Sequence, residues 1–332
     1  MMEIDGTDNK LLNIIQWEFP LIREPFSLLG LNLDMSAKEV ISRIERLKSA
    51  GIIRLIGPVL NPKKLGYRTT LAAARMPAKR LPTAGQVLSG HPGVSHCYER
   101  DHAFNLWFTL AVPVTADLDY EVRKLGKQIR STSIINLPAI KMFKIGAYFK
   151  TGEVDFPLPR RAKRANNNSV GSNNKRLSDI DRAVINSLQR DLPLDERPFD
   201  TMSDSLSLDT GMFLWYCRSL LRRRIMRRFS AAVNHSKLGY TANAMACWKV
   251  IPSMVDAAGS KVASFLEVSH CYERQTSPLW PHNLFAMVHS DEKENCRAVI
   301  DKISIEARLD RDALQLLFSI SEMKKTRIVY KV

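Results

Sequence analysis

Long apolar runs and paired cysteines are both missing from this 332-residue chain, and each absence removes a class of protein. No stretch of about 18 consecutive apolar residues occurs, so no membrane-spanning helix is expected. The five cysteines (Cys97, Cys217, Cys247, Cys271 and Cys296) form no CxxC pair, which argues against a zinc ribbon or a thioredoxin-like centre. An odd, scattered set suits a reducing cytoplasm better than a disulfide framework. The opening MMEIDGTDNK is acidic and polar instead of basic and then apolar, so no secretory leader is expected and a cytoplasmic location is. Acid is scarce relative to base: 34 Asp and Glu against 49 Lys and Arg leave a formal net charge of +15. That surplus points to a polyanionic partner, with nucleic acid the first candidate. At roughly 100–200 residues per domain, the length allows two or three compact units with cores of their own.

The chain repeats itself. DNKLLNIIQWEFPLIREPF (8–26) aligns without gaps on DRAVINSLQRDLPLDERPF (181–199), with 7 of 19 positions identical. At the same offset of 173, GIIRLIGPVLNPKKLGY (51–67) lies over RIMRRFSAAVNHSKLGY (224–240), with 7 identities in 17. One residue later in register, VSHCYER (94–100) recurs unchanged at 268–274. A heptapeptide recurring where two other blocks predict it is a tandem duplication. Between the copies, PLPRRAKRANNNSVGSNNKR (157–176) holds six basic residues and no acid, and it reads as a solvated linker. Part of the charge surplus is therefore tether.

Each half divides again. In the first, Leu11, Leu12, Ile14 and Ile15 fall at helical spacing. SAKEVISRIERLKSA (36–50) offers a capping box of Ser36 with Glu39, an apolar stripe of Val40, Ile41, Ile44 and Leu47, and Gly51 as its stop. IIRLIGPVL follows as the strand of a wing. Short helices and a small hairpin outline a winged helix-turn-helix. In the second half Phe213, Leu214, Cys217 and Leu220 keep the stripe, but Arg224 replaces Gly51, so that helix is expected to lose its left-handed stop.

After each LGY the pattern becomes strand 67–77, helix 81–90, strands 94–101 and 104–113, helix 117–131 and strand 140–149. This β-α-β-β-α-β order predicts a ferredoxin-like sheet with two helices on one face. The second half repeats it with an insertion, QTSPLWPH (275–282). The fold class is α+β: a tandem repeat of winged helix-turn-helix plus ferredoxin-like βαββαβ domain, four modules forming a pseudodimer. The expected boundaries are 1–62 and 177–235 for the winged modules, 63–152 and 236–332 for the ferredoxin-like ones, and 153–176 for the linker.

A winged module followed by a βαββαβ domain resembles the leucine-responsive (AsnC-type) regulators, and VISRIERLKSAGIIRLIGPVLNPKKLGY (40–67) is close to their helix-wing-linker sequence. The duplicated VSHCYER, the LWPHNLFAMVH segment and the basic ends KMFKIGAYFK and EMKKTRIVYK look instead like the siroheme decarboxylase branch of that architecture, in its fused form associated with heme d1 biosynthesis. The resemblance covers the chain apart from the linker. It implies non-oxidative loss of the C12 and C18 acetate carboxyl groups of siroheme, giving 12,18-didecarboxysiroheme for heme d1 or siroheme-dependent heme. It implies no cofactor beyond the iron tetrapyrrole substrate. An eight-carboxylate macrocycle also accounts for a site rich in Arg and Lys.

Strand alternation puts His96, Tyr98 and Arg100 on one face of the first heptapeptide, and His270, Tyr272 and Arg274 on one face of the second. Decarboxylation of a pyrrole acetate needs a proton and an electron sink. Histidine supplies a proton near neutral pH, and arginine holds carboxylates without giving one up. His96 and His270 are the candidate acids, with Tyr98, Arg100, Tyr272 and Arg274 as substrate anchors. A bridging role between sheet and helices is the alternative for the same residues. Trp280, Asn283, Lys324, Lys325 and Arg327 are further candidate contacts, as are Lys141 and Lys144, with a basic edge strand as the alternative for the lysines. His235, replaced by Pro62 in the first half, and His282, in a segment where the first half has only His102 and Asn105 at comparable places, are the candidate ligands of the siroheme iron. Cys97 and Cys271 face away and suit core packing.

A DNA-binding regulator is the rival class. Arg218, Arg222, Arg223, Arg224, Arg227 and Arg228 put six arginines within eleven residues at the second recognition helix and wing. Against it, the first helix mixes Lys38, Arg43, Arg46 and Lys48 with Glu39 and Glu45, and the second carries Trp215 and Tyr216. A symmetric operator needs like surfaces. DNA and membrane are not expected partners; self-association of the fused chain is compatible with the sequence. A tetrapyrrole carrier that binds without reacting is the third class.

Overall fold

The computed structural model describes residues 4–146, 148–152 and 177–332; the expected linker, 153–176, lies outside them. Along the chain, the first half is α1 (Gly6–Trp17), α2 (Pro25–Leu31), α3 (Ala37–Ser49), β1 (Ile53–Leu60), β2 (Tyr67–Arg75), α4 (Leu81–Gly90), β3 (Val94–Arg100), β4 (Leu106–Pro113), α5 (Leu118–Gln128) and β5 (Ser133–Ile145). The second is α6 (Asp179–Leu188), α7 (Pro198–Asp204), α8 (Thr210–Arg222), β6 (Met226–Val233), β7 (Ala242–Trp248), α9 (Val255–Ser264), β8 (Val268–Arg274), β9 (Leu284–Ser290), α10 (Lys293–Glu306) and β10 (Leu314–Lys325). The element order matches the expected α+β repeat. Contacts group the described residues into two units, each built from both halves: 4–61, 149–152, 177–234 and 331–332 in one, 62–146, 148 and 235–330 in the other.

The first unit holds both winged modules. The apolar stripe of α3 buries Val40, Ile44 and Leu47, and Ser36 Oγ caps it by accepting from Glu39 N at 3.2 Å. The expected reciprocal capping box does not close, because the Glu39 carboxylate turns outward to Arg43 at 3.3 Å. Nor does each wing form its own hairpin. β1 pairs antiparallel with β6 of the other half, so the two wings share one ribbon. The expected loss of a helix stop is overturned too: Arg224 adopts φ 58° where Gly51 adopts 68°. Ile225 N bonds Leu220 O as Ile52 N bonds Leu47 O, and this Schellman-type closure holds Arg224 left-handed despite its Cβ.

The second unit is a closed eight-stranded barrel, β10-β3-β4-β2-β5-β8-β9-β7. Each half contributes the expected four-stranded sheet, β3-β4-β2-β5 or β8-β9-β7-β10. The long last strands join the two. β5 pairs with β2 up to Pro138 and with β8 from Ala139, which is why it begins at 133 and not at 140. β10 does the same with β7 and β3. Closure consumes the sheet edges, so the lysines of these strands guard no open edge. The middle of β2 is buried on both faces, hence its small residues Ala72, Ala73 and Ala74. Outside, Gly85 on α4 and Gly259 on α9 let helices close on Met323 and Phe143; a Cβ at 259 would lie 2.4 Å from the Phe143 ring.

Neighbouring strands are antiparallel throughout the barrel. β3 and β8 sit an even number of steps apart in the ring, so they run the same way. The duplicated heptapeptides therefore begin at one mouth of the barrel and end toward the other. This parity positions the site.

Candidate functional site

Cys97 and Cys271 face the helix layers among apolar neighbours. Burial pushes both thiols up to about 12, so packing is what these residues contribute. The opposite face of each strand looks into the barrel. His96 stacks over Tyr98 and His270 over Tyr272, each pair with ring centroids 6.4 Å apart. Beneath them the Arg100 guanidinium lies 5.6 Å from the Tyr98 ring and that of Arg274 lies 4.8 Å from the Tyr272 ring. The two blades repeat even their hydrogen bonds: Arg100 Nη1 donates to Leu317 O at 3.0 Å, and Arg274 Nη1 to Leu137 O at 2.9 Å.

Both arginines are short of partners. Arg100 is 4% exposed, and the Nε atoms of both are buried without a hydrogen bond. Neither has a carboxylate within ion-pair distance among the described residues. Burial pushes each down to about 10, so both remain cations at neutral pH. Two desolvated cations without an ion-paired carboxylate are costly, and an anionic ligand would offset that cost.

The histidines at the mouth are held by serines that alternation alone assigns to the wrong face. A bulge between Val94 and His96, and another between Val268 and His270, re-aims Ser95 and Ser269. Ser95 Oγ lies 2.8 Å from His96 Nδ1 and 2.7 Å from Thr109 Oγ1. Ser269 Oγ lies 3.0 Å from His270 Nδ1 and 2.8 Å from His289 Nε2. Both serines stand inside the repeated heptapeptide, which is the signal that marks them.

The second half adds His235, His289 and Lys325 at the same mouth. The His235 and His289 rings are 5.1 Å apart, and Lys325 Nζ donates to His235 Nδ1 at 2.9 Å. Burial, reinforced by neighbouring cations, holds His289 well below the usual histidine range, so it is neutral near pH 7. With Nδ1 accepting from an ammonium, His235 carries its proton on Nε2 and has no lone pair there for iron in this arrangement. Barrel register makes Ala111 the first-half counterpart of His289 and Ile145 that of Lys325.

Other expected contacts separate from this group. His282 and Trp280 lie beyond the end of β8, roughly 13 Å or more along the strand from His270. Trp280, 2% exposed, plugs that far end against Trp107 (5.0 Å), His102 (5.3 Å) and His282 (5.1 Å). Burial and the neighbouring His102 lower the His282 pKa. Asn283 is spent on the backbone of Val250, with bonds of 2.8 and 2.9 Å, and Asn105 pins Met76 in the same way. Lys324 pairs with Cys97 in register and so faces the helix layer, where its Nζ reaches His91 O at 3.0 Å. Lys144 likewise caps Phe265 O, and Lys141 pairs with Asp256 at the surface. Arg327 follows β10 and is half-buried. Of the basic residues near the last strand, Lys325 is the one beside a motif histidine, opposite His96 in register.

The winged modules spend much of their positive charge internally. Arg43 binds Asp5 and Asp8 at 2.7 and 2.9 Å, Arg46 binds Asp8 at 2.5 Å, and Lys48 binds Asp191 at 2.6 Å. Arg223 binds the buried Asp181 at 2.8 Å, and Arg218 donates to Leu21 O at 3.2 Å. These side chains are held by partners within the winged modules.

Comparison with known proteins agrees with both modules. A model described as the siroheme decarboxylase NirDL-like HTH domain matches residues 8–54 and 181–227. One described as the AsnC-like ligand binding domain matches 64–144 and 237–324. The chain is 36% identical to a siroheme decarboxylase of Hydrogenobacter thermophilus over 97% of its own length and 94% of that protein. It is 32% identical to the siroheme decarboxylase NirDL subunit of Paracoccus denitrificans over 96% of this chain and 95% of that one. It superimposes on the crystal structure of siroheme decarboxylase NirDL in co-complex with an iron-uroporphyrin III analogue with a TM-score of 0.70 at 32% identity, covering 98% of this chain and 95% of that one. The chain belongs to the siroheme decarboxylase family.

Proposed function

We propose that this protein is a carbon-carbon lyase that removes the C12 and C18 acetate carboxyl groups of siroheme to give 12,18-didecarboxysiroheme, for heme d1 or siroheme-dependent heme synthesis in the cytoplasm. The observation that carries the reading is the pair of His-Tyr-Arg blades facing one barrel interior, each with an arginine whose Nε is buried without a hydrogen bond and which has no ion-paired carboxylate among the described residues. A macrocycle bearing eight carboxylates supplies those anions. Arg100, Arg274 and Lys325 bind carboxylates, Tyr98 and Tyr272 lie against the ring, and His96 and His270 present Nε2 as proton donors. The tetrapyrrole takes up the electron pair as carbon dioxide leaves, and a proton completes the methyl group. No cofactor beyond this substrate enters the balance. Committed arginines on the winged modules favour this reading over an operator-binding regulator.

Anaerobic incubation with siroheme tests it. Mass spectrometry should show loss of one and then two carbon dioxide masses. Stoichiometric binding with an unchanged tetrapyrrole mass would instead identify a carrier.

A further inference from the structure

The two blades carry the same seven residues, but the strands that join them do not match. On β10 the register sets Glu322 opposite Tyr98 and Lys325 opposite His96. On β5 the residues opposite Tyr272 and His270 are Met142 and Ile145. Directly paired residues share a face of the sheet, so Glu322 and Lys325 stand on the barrel side of the β3 blade. Tyr98 donates its hydroxyl to Glu322 Oε2 at 3.1 Å, and Lys325 Nζ lies 4.0 Å from the same oxygen. Side-chain exposures of 31% for Glu322 and 22% for Lys325 leave both within reach of a ligand entering the mouth. A carboxylate runs against the chemistry of a site for a polyanion. It repels the ligand, and it holds the phenol and draws on the ammonium that a ligand carboxylate would use. Met142 brings no charge to the equivalent place beside Tyr272, so the two blades receive a carboxylate on different terms.

We propose that Glu322 is a specificity-determining residue, a resident counter-ion at Tyr98 and Lys325 that a carboxylate of the tetrapyrrole displaces on binding. The inference rests on the reading of this mouth as the siroheme site. In the ligand-free protein the acid compensates the Lys325 charge and fixes the Tyr98 hydroxyl. When the ligand enters, both donors pass from one carboxylate to another, and no covalent bond or proton changes hands. Giving up the first set of contacts offsets part of what the second returns. The acid therefore weakens the hold on siroheme at the β3 blade, whereas the β8 blade binds without this exchange. Decarboxylated siroheme keeps six of its eight carboxylates, so the same acid also limits how tightly product is retained.

The test is anaerobic titration of the full chain with siroheme, read by visible absorption, together with steady-state turnover, for the wild type, Glu322→Gln and Met142→Glu. Glutamine at 322 keeps an acceptor for Tyr98 without the charge. Glu322→Gln should tighten siroheme binding about fivefold and lower KM by a similar factor, with a smaller effect on kcat, because substrate and transition state share the gain. Met142→Glu gives the second blade the acid of the first and should weaken binding about fivefold. Unchanged or weaker binding by Glu322→Gln would overturn the proposal, weaker binding being what an acid that merely braces Tyr98 would give. Unchanged or tighter binding by Met142→Glu would overturn it too. Siroheme bound by the wild type without loss of carbon dioxide would overturn the decarboxylase reading alone, with the affinity shifts still deciding the proposal. A wild type that binds no siroheme would overturn both.

Discussion

Replacing Arg100 by methionine should make the ligand-free protein more stable and its tetrapyrrole binding weaker. Burial pushes this guanidinium from its ordinary range down to about 10, a displacement worth about 3 kcal/mol against the folded cation. Offsetting this, the charged hydrogen bond to Leu317 O returns about 2 kcal/mol. Methionine fills similar volume without a charge, so Arg100→Met should gain about 1 kcal/mol, or a rise of about 2–4 °C in the melting temperature of a unit this size. Siroheme binding should weaken by at least about tenfold, because a desolvated cation loses its anion. Differential scanning calorimetry with and without siroheme reads both effects. A fall of several degrees in the ligand-free melt, or unchanged siroheme affinity, would refute the claim that this arginine is held in waiting for an anion.

Arg224→Gly should stabilise the winged unit by about 1 kcal/mol, since the left-handed backbone no longer carries a Cβ; denaturant unfolding measures it. Burial tends to raise the Asp181 pKa, but its bonds to Arg223 and Ser178 prevail and hold it below the usual 3.8. Its contribution is thus full above that value and lost as pH falls through the depressed one. Asp181→Asn should cost about 1–3 kcal/mol at pH 7 and nothing once the wild-type carboxyl is protonated, a convergence visible in acid titrations followed by circular dichroism. Gly259→Ala forces Phe143 or α9 to move and should destabilise the barrel unit by about 1–3 kcal/mol in thermal melts.

The modules and their repeat are legible because periodicity and duplication are local properties of the chain. The helical stripe of Val40, Ile44 and Leu47, and the His96-Tyr98-Arg100 face, follow from spacing alone. Pairings between halves are not local. No spacing tells that β1 finds β6, or that β5 leaves β2 at Pro138 to join β8. Closure of the barrel decides which residues share the site: it brings His235, His289 and Lys325 to the motif histidines and carries His282 and Trp280 to the other end. The bulges at Ser95 and Ser269 break the two-residue alternation that sequence reading depends on, so both serines go unassigned from spacing. Arg224 shows the same limit in a helix, where hydrogen bonds to the preceding turn enforce a conformation its side chain disfavours.

Two barrel arginines without ion-paired carboxylates and two serine-held histidines make one barrel mouth the proposed decarboxylation site for siroheme. Single-turnover mass spectrometry of siroheme with the wild type, His96→Asn, His270→Asn and the double variant tests it most directly. The wild type should release two carbon dioxide masses in sequence, with each single variant slowed about 100-fold or more and the double variant inert. Undiminished turnover in both single variants and in the double variant would contradict the account.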